Sequence, residues 1–155
     1  MEPEVSQMPD AGALLEFDPQ CVVDGKFDRN ELTLWIDPAK IVPVCQFLKA
    51  KRGYVILEHI TAVDWYPSEP RFEVVYHIYC MERKQRLRLK ARVSGENPSI
   101  ASVTSVWRSS NWYERETFDL FGVQFKGHPN LRRIVLPDDW QGHPLRKDYP
   151  VTGYR

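Results

Sequence analysis

Residues 85–93 alternate a cation with an aliphatic side chain: Arg86, Arg88, Lys90 and Arg92 against Leu87, Leu89, Ala91 and Val93. A two-residue period puts successive side chains on opposite faces of a strand, so this stretch has to lie with one face buried and one in water. Lys84 extends the basic row by one more position. Residues 72–81 precede it across a short turn at 82–84, and residues 54–60 precede that, so three strand-sized segments read as an antiparallel meander. Residues 31–36 alternate in the same way, and residues 21–23 are a further strand candidate.

Helical periods lie between and after these strands. Asp37 and Pro38 form an N-cap and first helical residue, and Ile41, Val44, Cys45 and Leu48 form an apolar stripe that ends at Lys49, Lys51, Arg52 and Gly53. Pro43 lacks a backbone donor, so this helix either kinks there or begins near it. A second helix is expected from Asn97 as cap and Pro98 as first residue, with Ile100, Val103 and Trp107 on one face. A third is expected over about 112–121, capped by Asn111 with Glu114 three residues on, and closed by Gly122 in a left-handed turn. Beyond Gly122, four prolines (Pro129, Pro137, Pro144, Pro150) and three glycines (Gly127, Gly142, Gly153) rule against a long helix, and residues 134–136 are at most an edge strand. Residues 1–12 are polar and carry no sustained period, which predicts a mobile leader. The order of elements predicts an α+β fold, a two-layer domain followed by an extended C-terminal arm.

At 155 residues the chain is sized for one domain. Its 21 Lys and Arg balance 21 Asp and Glu, so no overall charge draws it to nucleic acid or acidic lipid. The basic row is therefore read first as a solvated sheet face, with a docking surface as the alternative and a nucleic-acid site as a remote one. No apolar run approaches the roughly 20 residues that span a bilayer. Residues 1–10 lack the pattern of a secretory signal, which places the chain in the cytoplasm. Cys21, Cys45 and Cys80 are odd in number and widely spaced, so they read as reduced, packed thiols.

Several residues are candidates for chemistry. Glu116 and Asp119, three apart on one helix, could share a proton or a cation, but Arg115 stands four before Asp119 and can neutralise it. His128 and His143, each before a proline, are loop histidines without metal-ligand spacing. No phosphate-binding glycine loop or nucleophile elbow occurs. A free-standing acid/base enzyme would use Glu116, Asp119 and His128. In residues 128–149, Arg132, Arg133, Arg146 and Lys147 alternate with Asp138, Asp139 and Asp148 around Trp140 and Tyr149. Such a segment reads as one that lies along another protein.

The sequence Glu114-Arg115-Glu116, two residues, Asp119, Leu120-Phe121, six residues, His128, three residues, Arg132, one residue, Ile134-Val135 resembles the diagnostic pattern of the 30 kDa subunit of NADH:quinone oxidoreductase, respiratory complex I. The resemblance continues through Gly127-His128-Pro129, Pro137-Asp138-Asp139-Trp140 and Gly142-His143-Pro144-Leu145-Arg146-Lys147-Asp148-Tyr149-Pro150, with weaker likeness upstream to Glu31. It implies a mixed sheet, an N-terminal leader over 1–30, partly disordered, an α+β domain over 31–125 and a subunit-docking arm over 126–155. It implies a peripheral-arm subunit on the cytoplasmic side of the bacterial inner membrane that touches the membrane only through the complex. The partner implied is the large subunit of the quinone chamber. FMN, iron–sulfur clusters and quinone are then held by other subunits, with no catalytic, cofactor or metal residue in this chain. The expected interface residues are Trp112, Glu114, Arg115, Glu116, Asp119, His128, Arg132, Arg133, Trp140, His143, Arg146, Lys147, Asp148 and Tyr149. Ferredoxin-linked and hydrogenase-type relatives use an equivalent subunit. The chain lacks the extensions and fusions of many members, so a minimal, separate version is expected. Truncation after Gly127 is expected to leave a folded domain that no longer joins its complex.

Overall fold

A computed structural model describes residues 2–154 of the chain. Strands β1 (Val22–Asp28), β2 (Glu31–Ile36), β3 (Ile56–Asp64), β4 (Phe72–Cys80) and β5 (Gln85–Val93) form one sheet in the order β1-β2-β5-β4-β3. β3, β4 and β5 are the antiparallel meander, while β2 pairs with β5 in parallel and makes the sheet mixed. A parallel pair needs a crossover, and here it runs through helix α3 (Ile41–Arg52), β3 and β4. The alternation in β5 holds: Leu87, Leu89, Ala91 and Val93 are buried in the core, and the cations face outward.

The start of α3 resolves the problem of Pro43. Asp37 accepts a hydrogen bond from the Ala39 amide at 2.9 Å and caps a short 3-10 turn, Pro38–Lys40, after which the α-helix begins at Ile41. Pro43 then falls in the first turn, where its missing N–H has no carbonyl to meet. Ile41, Val44, Cys45 and Leu48 are the buried stripe, and Gly53 ends the helix at φ +73°.

Two expectations are corrected. Residues 97–107 form no helix. Ser99–Ala101 is a short strand, β6, paired in parallel with β7 (Gln124–Lys126), which carried no period of its own. Ile100, Val103 and Trp107 are buried as their spacing required, but their backbone bonds go to distant partners: the Gln124 amide donates to the Pro98 carbonyl and the Ser102 amide to the Lys126 carbonyl, both at 2.8 Å. The leader is also structured over the described residues, Met1 lying outside them. It holds α1 (Pro3–Ser6) and α2 (Pro9–Phe17), with Val5, Ala11 and Leu14 in the core. Asp10 is buried and accepts from Arg52 and Tyr54, each at 2.7 Å, and from Arg83 at 3.2 Å. These helices are too short to show a sustained period, and each starts at a proline with no side-chain cap.

Helix α4 (Ser110–Phe121) lies against β3 and ends at Gly122 with φ +77°, as expected. Its start differs. Asn111 lies inside the helix, the cap residue Ser109 makes no side-chain bond, and Glu114 turns into the core instead of closing a capping box. Cys21, Cys45 and Cys80 are free and buried.

Candidate subunit-docking face

The arm begins at Gly127 and folds back on α4 and the sheet, so it is not an extended tail. Its bonds follow from one fact of composition: a segment rich in proline and glycine leaves N–H groups that cannot pair with each other, and buried carboxylates supply the acceptors. Asp119, fully buried at the end of α4, accepts from the amides of Ile134, Val135 and Leu136 at 3.0, 2.8 and 3.0 Å and from Arg133 Nη1 at 2.6 Å. Residues 134–136 are therefore no edge strand, because one carboxylate gathers all three donors. Burial opposes ionisation of Asp119, but the Leu136 amide, the Arg133 guanidinium and the other two amides outweigh it and hold its pKa below the ordinary value.

A second carboxylate anchor lies at the end of β3. Asp64 accepts from Arg71 Nε and Nη2, both at 2.8 Å, and from the Lys147 amide at 2.8 Å. Arg71 turns its outer nitrogens to Asp148 at 3.0 and 2.6 Å, so one guanidinium joins sheet to arm through two carboxylates. Burial works to raise the Asp64 pKa, yet the Arg71 bonds, the amides of Lys147 and Tyr66 and the Arg71 charge bring it down to about 2. Asp64 and Arg71 were not among the expected site residues. Only the fold brings them to Asp148, 77 positions further on from Arg71.

Apart from Asp148, which binds Arg71, and His128, which meets the Asn111 carbonyl, the expected residues divide into three groups. Glu114 and Asp119 are fully buried within the chain, and Arg115 binds the carbonyls of Arg132 and Arg133 at 3.2 and 3.1 Å, not Asp119. Arg133 reaches Asp119 and the carbonyls of Trp140 and Gly142, and Arg146 donates to the Phe121 carbonyl at 2.6 Å. His143 donates from Nδ1 to the Asp119 carbonyl at 2.8 Å, and burial lowers its pKa, which keeps the ring neutral at neutral pH. All of these except Glu114, which accepts from the Ser102 hydroxyl and the Val103 amide, hold the arm down. Trp112, Arg132, Trp140 and Lys147 are exposed, with Trp112 carrying the Arg115 guanidinium 5.1 Å over its ring. Glu116 and Tyr149 are half-buried. The exposed apolar side chains Ile134, Val135 (58% exposed), Leu145 (50%) and Val151, none of them among the expected interface residues, join Trp140 (42%) along the arm.

Glu116, Asp119 and His128 do not gather. His128 Nε2 meets the Asn111 carbonyl at 3.1 Å in the first turn of α4, two turns or about 12 Å from Asp119, whose oxygens are occupied. No group of three or more His, Cys, Asp and Glu side chains among the described residues is arranged to hold a metal ion. Four cations of the basic row pair with three carboxylates: Arg86 with Glu58, Arg88 with Glu31, and Lys90 and Arg92 with Glu73, which also accepts from Trp35. No helix among the described residues is long and apolar enough to cross a membrane.

Fold and site together define a two-layer α+β protein with a mixed sheet and an arm locked across one end of it. Residues 34–155 match the family described as the respiratory-chain NADH dehydrogenase 30 kDa subunit, and the chain belongs to that family. It is 50% identical over 133 residues to the corresponding NADH-quinone oxidoreductase subunit of Geobacter sulfurreducens, covering 85% of this chain and 82% of that one. It is 45% identical over 135 residues to the same subunit of Roseiflexus castenholzii, covering 86% and 78%. Among solved structures it resembles the trypsin-resistant fragment of Nqo5 (TM-score 0.68, 28% identity, covering 77% of this chain and 97% of that one). It also resembles a chain of the membrane-bound sulfane sulfur reductase, an archaeal respiratory membrane complex (TM-score 0.77, 29% identity, covering 90% and 83%).

Proposed function

We propose that this chain is a structural subunit in the peripheral arm of a proton-translocating NADH:quinone oxidoreductase, on the cytoplasmic side of the membrane, and that it holds no redox centre. Its arm docks on the large subunit of the quinone chamber and keeps that subunit in register with the cluster-bearing ones, so that electrons pass between centres at fixed separation. FMN, iron–sulfur clusters and quinone reside in the partners. The chain contributes position and no bond-making chemistry.

The observation that carries this reading is the combination of a rigidly fastened arm with an uncovered apolar ribbon. Ile134, Val135, Trp140, Leu145 and Val151 stand exposed on a backbone fixed by Asp119, Asp64 and Arg71. Ordering the arm in advance removes an entropic cost that a flexible tail would meet on binding. Exposed aromatic and aliphatic side chains of this kind are what an interface core buries. A second reading, a relative of complex I with another electron donor, is favoured by the likeness to the sulfane sulfur reductase chain.

Purification of the tagged chain from its native membranes in mild detergent tests both. Recovery of a multi-subunit complex with NADH:quinone activity is expected, together with loss of the partners in the double variant Val135→Asp, Trp140→Ala. The same complex without NADH activity points to the second reading. Recovery of the wild-type chain alone sinks the subunit reading.

A further inference from the structure

A pocket of about 100 Å³ opens in the arm, bounded by Gly142, His143, Arg146, Asp148, Tyr149 and Tyr154. Arg146 is its one cation. The guanidinium lies with its central carbon 5.1 Å from the centre of the Phe72 ring and donates from Nε to the Phe121 carbonyl. Gly122 makes room for it: a Cβ there would stand 2.5 Å from Nη2 and 2.6 Å from the His143 ring, so only a glycine lets the side chain lie this close to the backbone. Arg71, Arg115 and Arg133 each have an acceptor on a terminal nitrogen. The terminal nitrogens of Arg146 have none among the described residues. Asp148, the carboxylate on the pocket wall, gives both its oxygens to Arg71.

Arg146 is thus a half-buried cation with its second edge unmatched and another arginine close by. Burial, and after it the Arg71 charge, push its pKa down, and the charges of Asp148 and Asp64 offset this only in part. The opening is small, and Tyr149 and Tyr154 wall it, their rings edge to face with centroids 5.3 Å apart. Guanidinium edges are matched by carboxylates through paired, charge-assisted hydrogen bonds. Aromatic walls exclude water from such a pair and pack along an aliphatic stem.

We propose that the Arg146 pocket receives an oxyanion of carboxylate size, supplied in the assembled complex by an acidic side chain of a neighbouring subunit. The second half of this statement rests on the subunit reading above, and the first half does not. The pocket is distinct from the apolar ribbon. It would give the contact a fixed register, since one buried charge fits one place, whereas apolar contacts tolerate sliding.

The test has two arms. The full-length chain, with nitrogen-15 in its arginine side chains, is titrated with sodium acetate against sodium chloride at constant ionic strength. The Arg146 Nε–H resonance should move saturably, with no saturable response at that site in Arg146→Met and a weakened one, read from the Tyr154 ring signals, in Arg146→Lys. Failure of the wild-type resonance to saturate overturns the pocket, independently of how either variant folds. In the second arm both variants are expressed in native membranes and co-purified. Arg146→Met should recover about tenfold less of the partner subunits at a salt concentration the wild type withstands, and Arg146→Lys should fall between them. Acetate binding with undiminished recovery would assign the pocket to a free anion and overturn the partner side chain as its source. Recovery of the wild-type chain alone would end the subunit reading, while the acetate titration would still decide the pocket.

Discussion

Asp119 shows how one residue can organise a segment that has no secondary structure. Its carboxylate takes three consecutive amides and one guanidinium. Asp119→Asn should cost about 3 to 5 kcal/mol, because it leaves Arg133 without its charge partner in a buried site. Urea unfolding measures this, and Arg86→Gln, which removes a solvent-exposed pair on the open sheet face, should cost under about 1 kcal/mol in the same assay. Glu114 acts in the opposite direction. Burial raises its pKa from 4.5 to about 7, against the bonds from the Ser102 hydroxyl and the Val103 amide. Between those two values the folded state binds the extra proton, so the stability from Glu114 is complete below pH 4.5 and is lost as pH rises to about 7. The loss should approach about 3 kcal/mol, and Glu114→Gln should flatten the dependence of the urea midpoint on pH over that range. Both residues were legible as members of a motif, but their chemistry was not. Helical spacing set Arg115 opposite Asp119, whereas in the fold Asp119 takes Arg133 and Arg115 takes two carbonyls.

At the scale of elements, the arm belongs to the domain. Removing everything after Gly127 would leave Asp119 without its donors, free Arg71 from Asp148, and take Arg146 off the Phe72 ring. The sequence alone suggested that such a truncation would leave a sound domain. The bonds lost in such a truncation predict a weakened domain: the truncated chain should melt about 10 °C or more below the full chain, as differential scanning calorimetry would show. Unchanged melting would mean that these buried carboxylates are satisfied without the arm. Elements whose period is carried by their own residues, β2, β4, β5 and α3, were readable in advance. β6, β7, α1 and α2 were not, because each is too short for a period and is held by partners far along the chain.

On the scale of the whole molecule, one continuous core runs from Val5 in α1 through the sheet and both long helices, with Leu131 of the arm packed against it. Unfolding should therefore be a single transition, with tryptophan fluorescence and far-ultraviolet circular dichroism coinciding through the melt. Two separated transitions would show that arm and domain are independent units. The sequence by itself determined the α+β class, the buried faces of β2 and β5, the stripe of α3 and the stop at Gly122, since these depend on the spacing of side chains along one element. It also carried the motif of the family. Only the tertiary structure decided that the leader is helical, that residues 99–101 are a strand and that the arm is fastened by Asp64, Arg71 and Asp119. Those outcomes depend on which donors and acceptors, tens of residues apart, find each other once water has been excluded.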